Sequence, residues 1–581
     1  DILDGASIVR TALVHELLVS EVEPRPDATG PRLFSGMDRL VHRGRDNRWA
    51  MTVAMCSNRI AWYECGNGEN DLGAQTSSGM TYLYLDNDDA HFDDEFWPTS
   101  DLTAPPGTTV DTVALPPRVE GQWGGSCPPN EWTGGSTLGE LSLAGQHLIG
   151  PGSTGLTARK SWFAGPDFVA CLGSDVSVIP QTSDSRVEVS ADAHVNDGSR
   201  AEENFASNTT MLVKAVEAAD TGYSRQSYLR IDPEAVDGEL ASVQLHLHAQ
   251  ISDSGGTEDS VTIHRCDDFD EATLTWNSRP EVGEALATVD IRGSFAWYSV
   301  DLTEALADQV AAGEPITLAL VQPLQDGRSA GLSVEVRSRE SGDTAPYLHV
   351  GVRAGTDGRT KSVVEHRNTG TSPGRLVIDR RQVSDAVRLT DPQWAHLSGV
   401  GGYVFLAPAT VQASVVERSG AWRDINTGGS EDEQTRHYAT LEVLHTEDSD
   451  GSYAYLVLPQ ASEALTRARA KKAPVEVVAN SAEVQAVTHG AVLAANFWRP
   501  ATVDGLSVDR PASLILSRGD RAQLSVSDPT QEAETVVVEV ADAPWTRVDG
   551  DGVTLEREGD LVRLRVEVAD RIGVPVTVEL S

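Results

Sequence analysis

The stretch Thr81-Tyr-Leu-Tyr-Leu85 has the pattern of a short β-strand, and the predicted fold rests on it. It is short, rich in aromatic and apolar residues, and bounded by the turn-forming residues Gly79 and Asp86. Similar runs recur along the chain, separated by Gly, Asp, Asn and Pro: Ser242–His248, Ile316–Val321, Tyr453–Leu458 and Glu534–Val540. Regular short strands with turn residues between them are typical of β-sandwiches. We therefore predict an all-β chain built on a large antiparallel sandwich.

Composition and charge exclude several classes of protein. The chain has 581 residues, with 46 Lys and Arg against 87 Asp and Glu, so its formal net charge is −41 at neutral pH. This charge repels a polyanion such as a nucleic acid unless basic residues are concentrated locally. No run approaches the roughly 18 apolar residues of a membrane helix. We expect neither a nucleic-acid partner nor a membrane span, and the length predicts about three to five domains.

The first residues predict a single amphipathic helix. Val9, Leu13 and Leu17 recur every four residues, and such an apolar stripe needs a partner to pack against. The other helical candidates, Glu304–Ala312 and Ser462–Lys471, are short and distant. Because the chain begins with aspartate and lacks a signal peptide, we expect a processed or truncated chain whose helical partners preceded this helix.

The cysteines predict neither a zinc ribbon nor a thioredoxin-type site, because no two of them form a C-x-x-C pair. Cys56 and Cys65 could pair, although buried free thiols are the favoured interpretation. The five residues are Cys56, Cys65, Cys127, Cys171 and Cys266.

More specific information lies in two sets of short motifs. The first set is Met37-Asp38-Arg39, Ser57–Ile60, Tyr63-Glu64, Asn67–Asn70, Gly79-Met80, Tyr82–Tyr84, Phe96–Thr99 and Pro106–Thr109. The second set is Lys160–Phe163, Leu172-Gly173, Ser362–Asn368, Gly402-Tyr403, Ala421–Asn426, Tyr453–Tyr455, Leu458-Pro459, Asn496–Trp498 and Asp528–Gln531. In identity and order these motifs resemble polysaccharide lyase family 8, the hyaluronan, chondroitin AC and xanthan lyases, over roughly residues 1–178 and 360–581.

The interruption between the two regions has motifs of its own. They are Ala191–Asn196, Glu203–Ser207, Leu212–Lys214, Arg225–Arg230, Leu274–Asn277, Pro280, Val300–Thr303, Ser338–Glu340 and Pro346–Leu348. This segment resembles the β-jelly-roll known as carbohydrate-binding module family 96, or the DNRLRE domain. A surface loop tolerates such an insertion because closing a longer loop costs little additional entropy.

The resemblance and three composition shifts, near residues 180, 355 and 505, together predict the domain organisation. We expect the all-β sandwich to be interrupted by the jelly roll and followed by a small C-terminal β domain, with a helical remnant of an α/α toroid at the start. The predicted segments are 1–34 (end of the toroid), 35–180 (first part of the central sandwich), 181–355 (inserted jelly roll), 356–504 (second part of the sandwich) and 505–581 (C-terminal β domain).

The resemblance implies β-elimination on a uronate-containing polysaccharide. Catalysis must neutralise the uronate carboxylate, remove the weakly acidic C5 proton and protonate the leaving O4 oxygen. In the family an Asn, a His, a Tyr and an Arg from the helical toroid do most of this, and the chain offers no candidates for that set. The implied partners are thus the polysaccharide and a toroid from another segment or chain, with no metal or other cofactor.

The family also uses a Glu of the β domain, with an Asn three residues later, to support the catalytic groups by hydrogen bonding. Glu64 and Asn67 meet this spacing, whereas Glu69 is a second candidate that no Asn follows by three. We take Glu64 and Glu69 as candidate catalytic residues and Asn67 and Asn70 as candidate substrate-binding residues. From the residues alone, Asn67-Gly68 reads as a hairpin turn, which is compatible because a turn can present side chains.

Other chemistries have weaker support. His246 and His248 share a face of a predicted strand and could bind a metal, but a structural pair is favoured because no nearby Cys or carboxylate completes a set. Glu64 and Glu69 would face opposite ways on one extended strand, which argues against a glycosidase pair. No nucleophile-elbow sequence supports serine hydrolysis. Five tryptophans could stack on sugars, although most are expected in the core: Trp97, Trp123, Trp132, Trp162 and Trp498.

The sequence therefore predicts the β portion of a secreted, bacterial-type polysaccharide lyase that is inactive without its toroid. The alternative is a non-catalytic carbohydrate-binding or scaffold protein. The acidic residues of the inserted segment weigh against a simple electrostatic capture of an anionic glycan there.

Overall fold

The computed structural model describes residues 29–93, 95–178, 182–219, 221–236, 239–254, 256–324, 327–353, 358–445, 451–518 and 521–581. These residues separate into two compact units, one formed by the residues before 180 and after 356 and the other by the residues between. The predicted helix around Val9, Leu13 and Leu17 lies outside the described residues.

Among the described residues, the first part of the chain forms nine strands and one short α-helix. They are β1 (Gly30–Phe34), β2 (Arg39–Arg43), β3 (Trp49–Ala54), β4 (Met80–Leu85), α1 (Phe96–Thr99), β5 (Thr109–Asp111), β6 (Thr133–Leu138), β7 (Leu141–Ile149), β8 (Leu156–Gly165) and β9 (Phe168–Val178). The run Thr81–Leu85 is in β4, as its composition predicts.

The middle of the chain forms a separate β unit. Its elements are β10 (Thr182–Asn196), β11 (Thr210–Val213), β12 (Arg225–Ile231), β13 (Glu239–Ile251), β14 (Glu258–Cys266), β15 (Val282–Arg292), β16 (Ala296–Asp301), α2 (Thr303–Ala312), β17 (Ile316–Val321), β18 (Val334–Arg337) and β19 (Tyr347–Arg353). The first half of β10 pairs with β19 and its second half with β12, with a bulge between Val189 and Ala191. β10 thus lies between β19 and β12 in one ten-stranded antiparallel sheet, whose buried residues form a large apolar core.

The chain then returns to the first unit. The next elements are β20 (Thr360–Asn368), β21 (Leu376–Ile378), β22 (Arg381–Gln382), β23 (Val387–Thr390), β24 (Trp394–Leu397), β25 (Gly401–Phe405), β26 (Thr410–Gly420), β27 (Gln434–His445), β28 (Tyr453–Pro459) and α3 (Glu463–Lys471). Ser462 caps α3, because its side-chain oxygen accepts a hydrogen bond from the Leu465 amide at 3.2 Å.

The last strands build two further sheets. They are β29 (Glu476–Asn480), β30 (Val484–His489), β31 (Val492–Phe497), β32 (Ala501–Val503), β33 (Leu506–Val508), β34 (Ala512–Ser517), β35 (Ala522–Ser527), β36 (Thr535–Ala541), β37 (Val548–Asp549), β38 (Val553–Glu558), β39 (Leu561–Glu567) and β40 (Val576–Leu580). A seven-stranded sheet (β29-β30-β31-β34-β35-β40-β37) and a five-stranded sheet (β32-β33-β36-β39-β38) enclose one apolar core. Asp504 and Gly505, where the composition changes, form the turn between β32 and β33.

A nine-stranded sheet is the centre of the first unit. Its order is β22-β21-β24-β25-β28-β9-β8-β7-β6, so it joins strands from both parts of the interrupted region. Trp162 of β8 packs in a core with strands β1 to β4 and β20, whereas the next residue, Phe163, packs in a second core with β30, β31 and β34. Successive residues of a strand face opposite ways, so this sheet is buried on both faces.

The predicted all-β class is confirmed. Every named sheet is antiparallel throughout, and the two predicted short helices are present as α2 and α3. Within the described residues, no helix combines the length and the apolar character needed to cross a bilayer. The five cysteines are free; Cys56, Cys65 and Cys171 are buried, Cys127 is exposed and Cys266 is half-buried.

Candidate functional site

The candidate residues lie on a tight hairpin between β3 and β4. The Glu69 amide donates to the Gly66 carbonyl at 2.8 Å, and the Gly66 amide donates back to the Glu69 carbonyl at 3.3 Å. Asn67 and Gly68 between them have φ values of 53° and 78°. Two successive left-handed residues make a type I′ turn, for which Asn-Gly is the preferred sequence. The pair Asn67-Gly68 therefore forms the turn that its sequence predicts.

This turn brings all four candidate side chains to the surface. Glu64, Asn67, Glu69 and Asn70 are exposed. Asn70 is also left-handed (φ 57°), and its side-chain amide donates to the Glu64 carbonyl at 2.8 Å. Among the described residues, no hydrogen bond or ion pair engages the carboxylates of Glu64 and Glu69. The hairpin therefore presents two unpaired carboxylates and one free amide, that of Asn67, on a braced backbone.

Two distant segments hold this hairpin in place. Cys65 forms a parallel bridge with Gln122, and Glu69 forms an antiparallel bridge with Asn426. The Thr427 amide donates to the Gly68 carbonyl at 2.8 Å, and a Cβ atom on Gly68 would collide with the Thr427 side chain. Asn426 ends one of the motifs that resemble the lyase family, so two motifs that are far apart in sequence meet at this turn.

Trp123 is the most exposed tryptophan beside the hairpin. Its side chain is 59% exposed and lies against Gly66, where a Cβ atom would overlap the indole ring. Its backbone is left-handed (φ 54°), a conformation that bulky residues rarely adopt. The amide of Trp123 donates to the Cys65 carbonyl at 2.8 Å, which ties the ring to the hairpin. The structure thus places one exposed indole directly against the hairpin.

The other four candidate tryptophans do not share this position. Trp132, Trp162 and Trp498 are buried, and Trp97 is half-buried. The expectation that most of them lie in the core is therefore confirmed for these three. Only neighbouring glycines in Gly121-Gln-Trp-Gly-Gly125 distinguish Trp123 in the sequence, so its exposure needed the structure.

A cleft of about 630 Å³ begins next to the hairpin. Its walls include Asp71 and Leu72, directly after Asn70, and Asp424 and Ile425, directly before Asn426. None of the four candidate side chains is among its lining residues. The cleft thus begins one residue beyond the hairpin, and the four candidate side chains lie outside its lining.

Some family-like motifs supply buried structural side chains. Lys160 is fully buried, and its ammonium donates to the carbonyls of Ser78 at 3.0 Å and Gly107 at 2.6 Å. Burial lowers the pKa of Lys160 to about 7. Segments that are separated by up to about 80 positions in the sequence therefore meet around one buried side chain.

Arg59 has a similar structural role. Its guanidinium donates to the carbonyls of Glu131 (2.9 Å), Thr133 (3.2 Å), Pro529 (3.2 Å) and Thr530 (3.3 Å). It thereby links the hairpin region to the C-terminal sheets. The planar guanidinium of arginine, with its fixed fork of N–H donors, suits several simultaneous hydrogen bonds better than the compact ammonium of lysine does.

His246 and His248 are half-buried on β13, and both have aromatic neighbours. Within the part of the chain that the structure describes, no three His, Cys, Asp or Glu side chains come together as a metal site requires.

The sheet architecture and the hairpin motifs define the class: the chain belongs to polysaccharide lyase family 8. The family's super-sandwich domain matches residues 29–260 and 342–470, and its C-terminal β-sandwich domain matches residues 476–537. Carbohydrate-binding module family 96 matches residues 183–351.

Among curated relatives, hyaluronate lyase HylB of Cutibacterium acnes is 28% identical over 580 residues, which are 97% of this chain and 49% of that protein. A hyaluronate lyase of Thermasporomyces composti is 29% identical over 566 residues, 96% of this chain and 49% of the relative. The chain spans about half the length of the curated relatives it matches.

Solved structures give the same architecture. A point mutant of chondroitin AC lyase from Streptomyces coelicolor A3 superposes with a TM-score of 0.62 at 25% identity, over 99% of this chain and 53% of that one. Xanthan lyase of Paenibacillus superposes with a TM-score of 0.61 at 21% identity, over 99% and 39%, and supports the fold alone.

Proposed function

We propose that this chain is the β portion of a secreted polysaccharide lyase that cleaves a uronate-containing polysaccharide by β-elimination. The Asn, His, Tyr and Arg that carry the chemistry come from a helical toroid outside these 581 residues. Relatives about twice as long as this chain support this division. The observation that carries the proposal is the hairpin, which holds unpaired Glu64 and Asn67 on the surface beside exposed Trp123, with a cleft that begins at the next segment, Asp71 and Leu72.

The hairpin has a positioning role in the proposed reaction. Abstraction of the C5 proton needs the uronate and the proton acceptor held in a fixed geometry, and small displacements cost rate. Glu64 accepts hydrogen bonds from the toroid groups and fixes their orientation, while Asn67 and Asn70 offer amides to the polysaccharide. Glu69 is the second candidate for the carboxylate role.

Trp123 would contribute to the same site by binding a sugar ring. A flat, exposed indole buries the apolar face of a sugar ring, and its contact with Gly66 keeps it next to the hairpin. A sugar stacked on this ring would lie beside Glu64 and Asn67.

The first test uses the chain by itself. We expect the chain to form no unsaturated uronate ends when it is mixed with hyaluronan, chondroitin or xanthan. The ultraviolet absorbance of the new double bond measures this product. A steady increase in absorbance would show that these 581 residues hold the catalytic groups, and would overturn the division proposed here.

The second test uses the longer protein that joins this chain to its toroid. Glu64→Ala is expected to lower kcat by about 10²-fold, while Glu64→Gln retains part of the activity because the amide oxygen still accepts a hydrogen bond. Glu69→Ala is the matched control on the other arm of the hairpin. If Glu64→Ala leaves turnover unchanged and Glu69→Ala abolishes it, the two carboxylates exchange roles; if neither variant matters, the hairpin is structural.

A non-catalytic carbohydrate-binding protein is the second candidate, favoured by the match of residues 183–351 to a carbohydrate-binding module. Retention of polysaccharide without turnover, in the longer protein, would favour it.

A further inference from the structure

A loop formed by residues 118–124 closes around the base of the hairpin that carries Glu64, and we call this loop the clasp. Three of its non-glycine residues have left-handed backbones: Arg118 (φ 66°), Glu120 (φ 57°) and Trp123 (φ 54°). Such backbones are uncommon outside glycine and persist only where the surrounding structure holds them. The contacts of the clasp therefore determine its shape.

The clasp binds the main chain of Cys65, the residue directly after Glu64. The Cys65 amide donates to the Gly121 carbonyl at 2.8 Å, and the Trp123 amide donates to the Cys65 carbonyl at 2.8 Å. Both backbone polar groups of Cys65 are thus engaged by the clasp, and its side chain is buried. The main chain from which the Glu64 side chain projects is therefore fixed on its C-terminal side.

Two glycines of the clasp lie against side chains of the hairpin. A Cβ atom on Gly121 would lie 2.1 Å from the ring of buried Tyr63, so a glycine is needed for the clasp to approach this ring. A Cβ atom on Gly124 would lie 3.7 Å from Cβ and 3.8 Å from Cγ of Glu64. The clasp thus adjoins three consecutive residues, Tyr63, Glu64 and Cys65.

The other end of the clasp binds the far arm of the hairpin. The Arg118 amide donates to the Asp71 carbonyl at 2.8 Å, and the Arg118 guanidinium lies 3.0 Å from the Asp71 carboxylate. The Asp71 side chain is only 18% exposed and lies in the wall of the cleft. The clasp thus connects the arm that carries Glu64 to the segment where the cleft begins.

The clasp and Thr427 hold different parts of the hairpin. Thr427 contacts the turn at Gly68, whereas the clasp contacts residues 63–65 and Asp71. Because the Glu64 carboxylate is exposed and has no partner among the described residues, its position depends on the backbone that carries it. The clasp is the support that reaches this backbone.

We infer that the clasp is a positioning element for the proposed reaction, with Gly121 and Arg118 as its positioning residues. Gly121 lets the loop close on the Tyr63 ring. Arg118 holds Asp71 after the turn. Each acts through the hairpin by fixing the direction of the Glu64 carboxylate, because a small displacement of a supporting group lowers the rate. The effect on turnover rests on the proposed function, whereas the effect on the hairpin backbone does not.

The first test uses the 581-residue chain and measures hydrogen exchange in the hairpin. Gly121→Ala drives a methyl group into the Tyr63 ring, so we expect faster exchange at the amides of Cys65 and Trp123. The control is Gly36→Ala, where the nearest atom to the added Cβ is 4.0 Å away and exchange at both amides should stay native. Native exchange in the Gly121 variant as well would overturn the inference.

Arg118→Gln tests the clasp without crowding, and it decides the question if Gly121→Ala does not fold. It removes the charge that pairs with Asp71, so in the longer protein we expect kcat to fall about threefold, the size that one partly exposed ion pair allows. Arg118→Lys keeps the ion pair and should recover most of that loss. If Arg118→Gln lowers the melting temperature but leaves kcat unchanged below it, Arg118 is only structural and the inference is overturned.

Turnover of the longer protein separates this inference from the proposed function. Gly121→Ala is expected to lower kcat by about 10²-fold and to change KM less, because the displaced group supports the chemistry. If Glu64→Ala lowers kcat and Gly121→Ala does not, the inference about the clasp fails and the proposed function stands. If Glu64→Ala and Glu69→Ala both leave turnover native, the proposed role of the hairpin fails, and the effect of the clasp on turnover fails with it.

Discussion

The hairpin around Glu64 and the cluster around Lys160 are two regions of one sandwich that carry family motifs in opposite surroundings. The hairpin exposes its carboxylates and leaves them unpaired, whereas Lys160 is fully buried and bonded to two carbonyl groups. A match to a family motif does not tell an exposed hairpin residue from a buried structural one, because both kinds of residue occur in the motifs. Burial and partners do separate them, and the comparison makes distinct predictions for each region.

The largest expected effect is at Lys160. Lys160→Ala removes a buried stem and leaves the carbonyls of Ser78 and Gly107 without this donor, so we expect a loss of about 2–5 kcal/mol in the free energy of unfolding. Urea unfolding followed by tryptophan fluorescence measures it. The control is Lys471→Ala at the exposed end of α3, which should stay within about 0.5 kcal/mol of the native chain. Similar losses of unfolding free energy in Lys160→Ala and Lys471→Ala would mean that the buried contacts of Lys160 stabilise the fold no more than an exposed lysine does.

The same residue predicts a pH dependence. Burial lowers the pKa of Lys160 to about 7, below the ordinary value of about 10.4 for an unfolded lysine. Between these values the unfolded chain binds a proton that the folded chain does not, so the contribution of Lys160 to stability rises with pH from about 7 to about 10.

Lys160→Met keeps the volume of the side chain and removes its titration. The difference in unfolding free energy between native and variant chains should therefore shift in favour of the native chain across this window, measured by urea unfolding at several pH values. A difference that stays constant with pH would contradict the lowered pKa.

A smaller effect is expected in the backbone of the hairpin. Gly68→Ala places a methyl group on a backbone with a φ of +78°, where it meets the Thr427 side chain. The control, Gly139→Ala, places a methyl group on a backbone with a φ of +58°, where no atom is near. The left-handed backbone alone costs about 1–2 kcal/mol. The Gly68 variant should lose more unfolding free energy than its control and show faster hydrogen exchange at the amide of Thr427. Equal losses would mean that the contact with Thr427 is weak.

The smallest effect on stability is expected at Glu64 itself. Its side chain is exposed and has no partner among the described residues, so Glu64→Ala should change the unfolding free energy by less than about 0.5 kcal/mol. Thermal unfolding followed by circular dichroism checks this. A Glu64→Ala variant that is stable but has lowered turnover would strengthen the contrast with Lys160. A strongly destabilised Glu64→Ala variant would remove that contrast.

Local patterns in the sequence predicted the elements well. The alternation in Ser242–His248 is part of β13, and Glu304–Ala312 lies within α2, which ends at left-handed Gly313. Asn67-Gly68 forms the turn that its composition indicates. These features depend on residues close in sequence, whose backbone preferences act wherever the segment lies.

The surroundings of the site could not be predicted in this way. Asn426 and Thr427 brace the hairpin from about 360 positions away, and the exposure of Trp123 is not written in its neighbouring residues. The sequence favours a structural pair for His246 and His248, but the rings that surround them come from two other segments of the insert. No local sequence pattern indicates which distant strand will lie next to a given residue.

The sequence by itself determined the all-β class, the main turns and the family, because strand alternation, turn chemistry and ordered motifs are all written locally. Tertiary packing determined which motif residues are buried supports, such as Lys160, and which are exposed on the surface, such as Glu64. The physical reason is that burial and charge pairing depend on strand register across the whole sandwich, and register is set by packing between residues far apart in the chain.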